Sequence, residues 1–154
     1  MPTVLFVCTA NRSRSPVAAA LFRRELERRG LEQDWHVISA GTWTTDGLRA
    51  TPDAEDAARS LGIELEGHRS SPITAGALGG SDLILVMEQG QKEALALEFP
   101  GSAGRLHLLS EAAAGVEYSI PDPGLSPTAG DVYNEIAELI HVGFDRLRTL
   151  ASKS

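Results

Sequence analysis

The sequence predicts an α/β fold in a single domain over residues 1–154, with an open four-stranded parallel sheet and helices on both faces. Short apolar runs alternate along the chain with segments of helical periodicity, an order typical of parallel strands joined by crossover helices. A chain of 154 residues is long enough to bury a core of its own. Apolar and charged residues make up 42% and 23% of the chain, as in ordinary globular domains.

Four apolar runs are the predicted strands. The first, Val4 to Val7, is short and uninterrupted, as expected of a buried parallel strand. The second is centred on Val37-Ile38 and ends at Ser39-Ala40-Gly41. The third is the continuous run from Ser81 to Met87, and the fourth is Leu106 to Leu109.

The segments between these runs carry apolar residues at helical spacing. One helix is predicted from Ser15-Pro16 to just before Gly30, and a third from Glu88 to Phe99. Between them, the chain is predicted to enter a second helix near Thr51-Pro52-Asp53, with Ala54 to Leu61 as its body. The final helix has the clearest period. Its apolar face comprises Val132, Ile136, Leu139, Ile140, Gly143, Leu147 and Leu150.

The one cysteine, Cys8, ends the first strand and lies six residues before Arg14. Ser15-Pro16 has the pattern of an N-cap followed by proline at the first helical position, so the loop from Cys8 to Arg14 opens onto a helix N-terminus. Unpaired N–H groups and the helix dipole favour an anion there and stabilise a thiolate. Arg14 adds a planar fork that can hold two oxygens of a phosphoryl group. The stretch therefore predicts a phosphate-binding loop with a thiolate nucleophile, and the alternative is that Cys8 is a small buried hydrophobe.

The edge of the sheet gives a second candidate residue. Open parallel sheets bind ligands outside the carboxyl ends of their strands, where Cys8 lies. The loops over residues 39–43 and 110–127 are predicted to share this edge, which brings Asp122 within reach of a phosphoryl group on Cys8. Asp-Pro is also a common turn opener, so a purely structural role for Asp122-Pro123 remains the alternative.

These motifs resemble the low-molecular-weight protein tyrosine phosphatase family. Its signature is a strand ending in Val-Cys, a five-residue gap and then Arg-Ser-Pro, which this chain matches at Val7-Cys8 and Arg14-Ser15-Pro16. The family places an Asp-Pro pair late in the chain as general acid, and Asp122-Pro123 corresponds to it. The resemblance runs from Thr3 to about Leu150. It implies hydrolysis of protein phosphotyrosine through a phosphocysteine, with Cys8 as nucleophile, Arg14 as phosphate clamp and Asp122 as acid and base, and it implies no metal or organic cofactor.

The resemblance also implies supporting residues. Those of the phosphate loop are Thr9, Ala10, Asn11, Arg12, Ser13 and Ser15. His68 would brace Asn11 together with Ser39 and Ser15, and the Ser15 hydroxyl would hydrogen-bond the thiolate. Trp43 would line one wall of the substrate cleft, and the alternative for Trp43 is an ordinary buried tryptophan.

The chain departs from the family pattern at three places. Ala10 stands where glycine is usual, so the loop's need for a positive φ is open. Ser13 stands where many members have a second cysteine, so an oxidised Cys8 has no partner in the loop. Gly124-Leu125 follow Asp122-Pro123 where eukaryotic members have two tyrosines.

Three other functions remain as alternatives. The bacterial branch of the family includes protein-arginine phosphatases, whose members carry threonine at the position of Arg12. The cationic Arg12 disfavours a guanidinium substrate, so phosphotyrosine is ranked first and phosphoarginine second. Arsenate reductases share the loop but use further cysteines, so this chain would need external thiols. A non-catalytic binder of phosphorylated ligands would be expected to lack a nucleophile or an acid.

Net charge and cysteine content limit the classes of partner and the compartment that we expect. The net charge of −7 argues against nucleic-acid binding, which needs a basic surface. No apolar run is long enough for a membrane span. A single cysteine is compatible with a reducing compartment. We therefore expect a cytoplasmic enzyme acting on a phosphorylated protein or peptide.

Overall fold

The computed structural model describes residues 1–124 and 128–152, and it contains a four-stranded parallel sheet in the order β2-β1-β3-β4. The strands are β1 Thr3–Cys8, β2 His36–Gly41, β3 Leu83–Val86 and β4 Leu106–Leu108. The α-helices are α1 Arg14–Arg28, α2 Pro52–Ser60, α3 Ala75–Gly79, α4 Gln89–Glu98, α5 Leu109–Ala114 and α6 Ala129–Ser152. The predicted fold class is therefore confirmed. None of the helices in the described ranges is long and apolar enough to cross a bilayer.

Side chains of β1 alternate between two apolar clusters, one on each face of the sheet. Val4 and Phe6 pack with α1, α5 and α6, whereas Leu5 and Val7 pack with residues of α3 and α4. Both faces are thus covered by helices, which explains why the two central strands, β1 and β3, are apolar runs rather than alternating with polar residues.

The strand register brings the carboxyl ends of three strands together. Cys8 pairs with Gly41 at the end of β2, and Val7 pairs with Val86 at the end of β3. The chain segments that leave these three strands therefore start at one edge of the sheet, as ligand sites of open parallel sheets do.

Helix α1 begins two residues earlier than predicted, at Arg14 instead of Pro16, and the predicted N-cap is wrong. Ser13 is the N-cap residue and makes no side-chain capping bond, so Ser15 lies inside the first turn. The Ser15 hydroxyl is bound instead to Cys8 and Asn11. Proline is still accommodated at position 16, because the first-turn N–H groups have no helical partner.

Helix α2 begins where a helix entry was predicted, whereas two short helices were missed. Helix α2 starts at Pro52, because Thr51 caps it by accepting a hydrogen bond from Ala54 N at 3.2 Å. Helices α3 and α5 were not predicted, since five or six residues are too few to display a helical period.

Helix α6 crosses α5 closely at Gly143. A Cβ on Gly143 would lie 2.6 Å from the Cβ of Ala113, well inside van der Waals contact. The glycine is thus required by packing. This contact fixes α5 directly before the segment that carries Asp122. Of the loop predicted to end at Pro127, residues 125–127, including Leu125, lie outside the described residues.

Candidate active site

The phosphate loop starts at Cys8, the last residue of β1, which has only 1% of its surface exposed. The loop's first two carbonyl groups are bound by the segment after β2: Thr42 N donates to Cys8 O at 3.0 Å, and Trp43 N donates to Thr9 O at 2.9 Å. Gly41 permits this approach, because a Cβ there would lie 2.6 Å from Thr9 O. The end of β2 therefore fixes the position of the nucleophile candidate.

Asn11 is the fully buried centre of the loop. Its φ of 56° is the one positive value among the described non-glycine residues, so this conformation must be held by its contacts. The side-chain Nδ2 donates to Ser15 Oγ at 2.8 Å and to Ser39 Oγ at 3.0 Å, while Oδ1 accepts from Ser71 N at 2.9 Å. Ala10, at the family's usual glycine position, does not have a positive φ, so its methyl group causes no strain of that kind.

His68 holds the backbone of the same asparagine. Its Nε2 lies 2.7 Å from Asn11 O, and since a carbonyl only accepts, Nε2 carries the hydrogen. Burial lowers the pKa of His68 below its ordinary value, the bond to Asn11 raises it in part, and the charges of Arg23 and Arg69 lower it further. The ring is therefore a neutral donor at pH 7 and serves as a brace.

Ser15 connects this network to the nucleophile candidate. Its Oγ lies 3.0 Å from Cys8 Sγ. Because the same oxygen already accepts a hydrogen bond from Asn11, its own hydrogen is free to point at the sulfur. A hydroxyl that donates to sulfur stabilises a thiolate both as nucleophile and as leaving group.

Arg14 is a buried cation beside the loop, with 1% of its surface exposed. One nitrogen, Nη1, donates to Glu88 Oε2 at 2.8 Å and to Ile120 O at 2.7 Å. Its Nε is also buried, yet it has no hydrogen-bond partner within the described residues. Buried donors of this kind are normally satisfied, so an orphaned guanidinium N–H fits an oxyanion ligand.

Sequence reasoning missed Glu88 and Gln91, which support Arg14 and the loop. Gln91 donates through Nε2 to Thr9 Oγ1 at 3.0 Å and to Glu88 Oε2 at 3.2 Å. Its Oε1 accepts from Glu88 N at 3.0 Å, which fixes the start of α4. Glu88 could have been found from its position in the sequence, because it follows the third predicted strand and therefore lies at the same sheet edge as Cys8.

The segment that carries Asp122 is attached directly to the clamp residue. Ile120 is fully buried, its carbonyl accepts from Arg14, and its N–H donates to Met87 O at 2.7 Å. Asp122 is exposed and follows two residues later, which keeps its Cα within about 7 Å of that of Ile120. Its Oδ1 accepts from Gly124 N at 3.0 Å, which is a local turn contact.

Tyr133 of α6, also missed, lies between this segment and the loop. It is buried, and burial raises the pKa of its phenol, while hydrogen bonds with Ser13 and Thr51 lower it and the charges of Asp53 and Asp122 raise it. The negative charge of Asp122 is thus near a side chain that contacts the phosphate loop.

Two of the predicted site residues, Arg12 and Trp43, lie at the protein surface beside the phosphate loop. Arg12 donates through Nε to Arg49 O at 2.7 Å, and its own carbonyl accepts from Thr51 N at 2.9 Å. Trp43 has 85% of its surface exposed, so its alternative reading as a buried tryptophan is wrong. Within residues 1–124 and 128–152, no group of three or more His, Cys, Asp or Glu side chains is placed to hold a metal ion.

The whole-chain comparison decides the family. The model of the family described as low molecular weight phosphotyrosine protein phosphatase matches residues 3–153. This chain belongs to that family. Low molecular weight phosphotyrosine protein phosphatases are hydrolases, and membership implies a cysteine-based phosphatase.

Among the relatives in this family, some are named protein-arginine phosphatases and others protein-tyrosine phosphatases. A protein-arginine-phosphatase of Bacillus subtilis is 37% identical over 120 residues, which cover 78% of this chain and 78% of that protein. A probable low molecular weight protein-tyrosine-phosphatase, EpsP, of Ralstonia nicotianae is 34% identical over 152 residues, which cover 96% and 97%. A solved structure of a YwlE arginine phosphatase mutant with a phosphorylated active site serine has a TM-score of 0.80 and 32% identity, covering 98% of this chain and 94% of that one.

Proposed function

We propose that this protein hydrolyses phosphotyrosine in proteins through a phosphocysteine on Cys8. The observation that carries the proposal is Arg14: a buried guanidinium fixed through Nη1, with a buried Nε that lacks a partner, beside a loop that starts at a buried cysteine. Such a group is matched by the oxygens of a phosphoryl group. The phosphorylated serine in the YwlE relative supports the transfer of phosphoryl groups to the nucleophile position.

The first step is attack of the Cys8 thiolate on phosphorus, in line with the tyrosine oxygen. A bond from sulfur to phosphorus forms, the bond from phosphorus to oxygen breaks, and Asp122 gives its proton to the departing phenolate. Arg14 and the loop N–H groups hold the three equatorial oxygens, where charge must be stabilised. The attachment of the Asp122 segment to Arg14 through Ile120 supports the acid role, because both groups must reach one phosphoryl.

In the second step, water attacks the phosphorus of the phosphocysteine. Asp122, now deprotonated, takes a proton from this water, and the sulfur leaves as a thiolate. Ser15 stabilises the departing sulfur by donating its hydroxyl hydrogen, as its contact with Asn11 allows. Each turnover thus consumes one water and releases inorganic phosphate and tyrosine.

Phosphoarginine is the second candidate substrate, favoured by the name of the Bacillus subtilis relative. The guanidinium of Arg12 argues against phosphoarginine as the substrate. This side chain is held at the surface beside the loop by its bond to Arg49 O, and it repels a second guanidinium. The side chain of Trp43 is exposed, and its backbone N–H is bound to Thr9 O of the phosphate loop. Its ring can therefore contact an aromatic leaving group. We therefore rank phosphotyrosine first.

The test is kcat/KM for release of phosphate from matched phosphotyrosine and phosphoarginine peptides. The proposal predicts a preference for phosphotyrosine in the wild type and a shift of the ratio toward phosphoarginine in Arg12→Thr. Arg49→Gln is the matched control, because it removes a neighbouring guanidinium that pairs with Glu55 and leaves the Arg49 carbonyl in place. A wild-type preference for phosphoarginine would reverse the ranking and show that the charge of Arg12 does not set selectivity.

A further inference from the structure

A concave surface lies at the β2 edge of the sheet, next to the phosphate loop but outside it. It is a cleft of about 710 Å³ between α1, β2 and residues 64–77, and no residue from 8 to 15 lines it. Binding sites for small molecules commonly occupy roughly 300–1,000 Å³. The cleft is therefore large enough for a ligand of its own, separate from the phosphoryl group of a substrate.

The floor of the cleft is apolar and its rim is charged. Leu5, Ala40 and Leu65 are buried residues of the floor. Arg23 and Arg69 are exposed residues of the rim. This combination suits a ligand with an apolar body and at least one charged group.

The two arginines of the rim are held by carbonyl groups rather than by carboxylates. Arg23 Nη2 donates to Val37 O at 2.7 Å, and Arg69 Nη1 donates to His68 O at 2.7 Å and to Glu66 O at 3.1 Å. In the described part of the chain, neither guanidinium forms a salt bridge. Both are thus oriented cations whose charge is not paired.

Two arginines lie near His68 at the inner end of the cleft. Asp46 and Glu64 also line the cleft, and they are exposed, as the two arginines are. After burial, the charges that lower the pKa of His68 are those of Arg23 and Arg69. An anionic group is therefore favoured beside His68, with the apolar body over the floor.

The inner wall of the cleft is formed by the residues that hold Asn11. Ser39, His68 and Ser71 all line it. Ser39 Oγ accepts from Asn11 Nδ2 at 3.0 Å, His68 Nε2 donates to Asn11 O at 2.7 Å, and Ser71 N donates to Asn11 Oδ1 at 2.9 Å. A ligand against this wall stabilises the arrangement that keeps Asn11 at its positive φ.

We propose that this cleft is a regulatory site for a small organic anion with an apolar body, such as an aromatic carboxylate, and that its occupancy strengthens oxyanion binding in the phosphate loop through Asn11. The coupling is positive because both ligands bind the same conformation of Asn11, and it is reciprocal. The regulatory role rests on the proposed phosphatase function, whereas binding and coupling do not.

The test uses 1-naphthoate as the probe of the cleft, inorganic phosphate as the probe of the loop, and the intact chain. Calorimetry gives the Kd of each probe with and without the other, and NMR follows the His68 ring. We expect 1-naphthoate to bind, 1-naphthalenemethanol to bind far more weakly, and the affinity for phosphate to rise at least about fivefold when 1-naphthoate is bound.

Variants assign the binding to the cleft. Arg23→Gln and Arg69→Gln should each weaken 1-naphthoate binding by about tenfold or more, because each removes a charge-assisted contact. Arg148→Gln, an exposed arginine on α6, is the matched control and should leave the Kd unchanged. Ala77→Phe fills the cleft without changing its charge and should also abolish binding.

Three results would overturn the proposal. The first is 1-naphthoate binding that is unaffected in Arg23→Gln, Arg69→Gln and Ala77→Phe, and the second is absence of binding to the wild type. The third is mutual exclusion of 1-naphthoate and phosphate, which places the probe in the loop. A chain that lacks activity on phosphotyrosine but keeps the coupling would refute the proposed function and leave the cleft site intact.

Discussion

Replacement of Arg14 by lysine tests the phosphate clamp, because the change keeps the positive charge but removes the planar fork. In the wild type, Nη1 is occupied by Glu88 and Ile120, while the buried Nε has no partner among the described residues. A lysine has a single nitrogen, which the Glu88 carboxylate attracts away from the substrate. Two hydrogen bonds to a charged phosphoryl group are then lost, each worth about 1.5–3 kcal/mol. We expect kcat/KM to fall by about 10²–10⁴-fold, since about 1.4 kcal/mol corresponds to a factor of ten.

The assay is steady-state release of inorganic phosphate from a phosphotyrosine peptide, with the melting temperature of each variant as the test of folding. Arg24→Lys is the matched control. Arg24 lies on the same helix and also has a buried Nε without a partner in the described residues, but it donates through Nη1 to Leu61 O. Its replacement should leave kcat/KM close to that of the wild type. A folded Arg14→Lys variant with wild-type kcat/KM would refute the reasoning.

Three further changes test the acid, the packing and the brace. Asp122→Asn should lower kcat for a phosphotyrosine peptide by about 10²–10⁴-fold, but should slow an aryl phosphate with an acidic phenol much less, because that leaving group needs no proton. Gly143→Ala places a methyl group 2.6 Å from the Cβ of Ala113 and should lower the free energy of unfolding by about 1–3 kcal/mol in urea titrations. An NMR titration should give His68 a pKa below 6.5, with the ring hydrogen on Nε2 at neutral pH. Because the folded-state pKa is depressed, the stability from neutral His68 is present above pH 6.5 and is lost as the pH falls through the folded value.

A specific result would contradict each of these three predictions. Equal slowing of both leaving groups by Asp122→Asn would exclude the acid role. Gly130→Ala, in the same helix, is the control for Gly143→Ala, because a Cβ at Gly130 would have no neighbour within 4 Å. Comparable stability of the two glycine variants would contradict the close contact. A pKa of His68 above 6.5 would contradict the burial argument.

The sheet could be predicted because its two central strands, β1 and β3, are buried on both faces. Two uninterrupted apolar runs and two shorter ones, separated by helical segments, admit few other arrangements, and their carboxyl ends must share an edge. That rule was enough to place Cys8 at a ligand-binding edge. The N-cap prediction for Ser15 failed because tertiary contacts with Cys8 and Asn11 use its hydroxyl, which local sequence rules do not include.

Glu88, Gln91 and Tyr133 could not be predicted as supporting residues, because their contacts join distant parts of the chain. Glu88 reaches Arg14 across 74 residues, and Gln91 reaches Thr9 across 82. Tyr133 occupies a buried position on α6 that a helical period describes only as core. The structure brings Asn11 and His68 into contact, but the catalytic roles of the site residues stay predictions.

The central claim, that the phosphoryl group passes through Cys8, is tested most directly by rapid-quench mass spectrometry of the intact chain during hydrolysis of a phosphotyrosine peptide. The account predicts that one phosphoryl group appears on the Cys8 peptide, forms and decays at rates compatible with turnover, and is absent in Cys8→Ala. Alanine is the control, rather than serine, because a serine that replaces a cysteine is phosphorylated in the active site of the YwlE mutant. Turnover without a phosphorylated Cys8, or hydrolysis that persists in Cys8→Ala, would contradict the account.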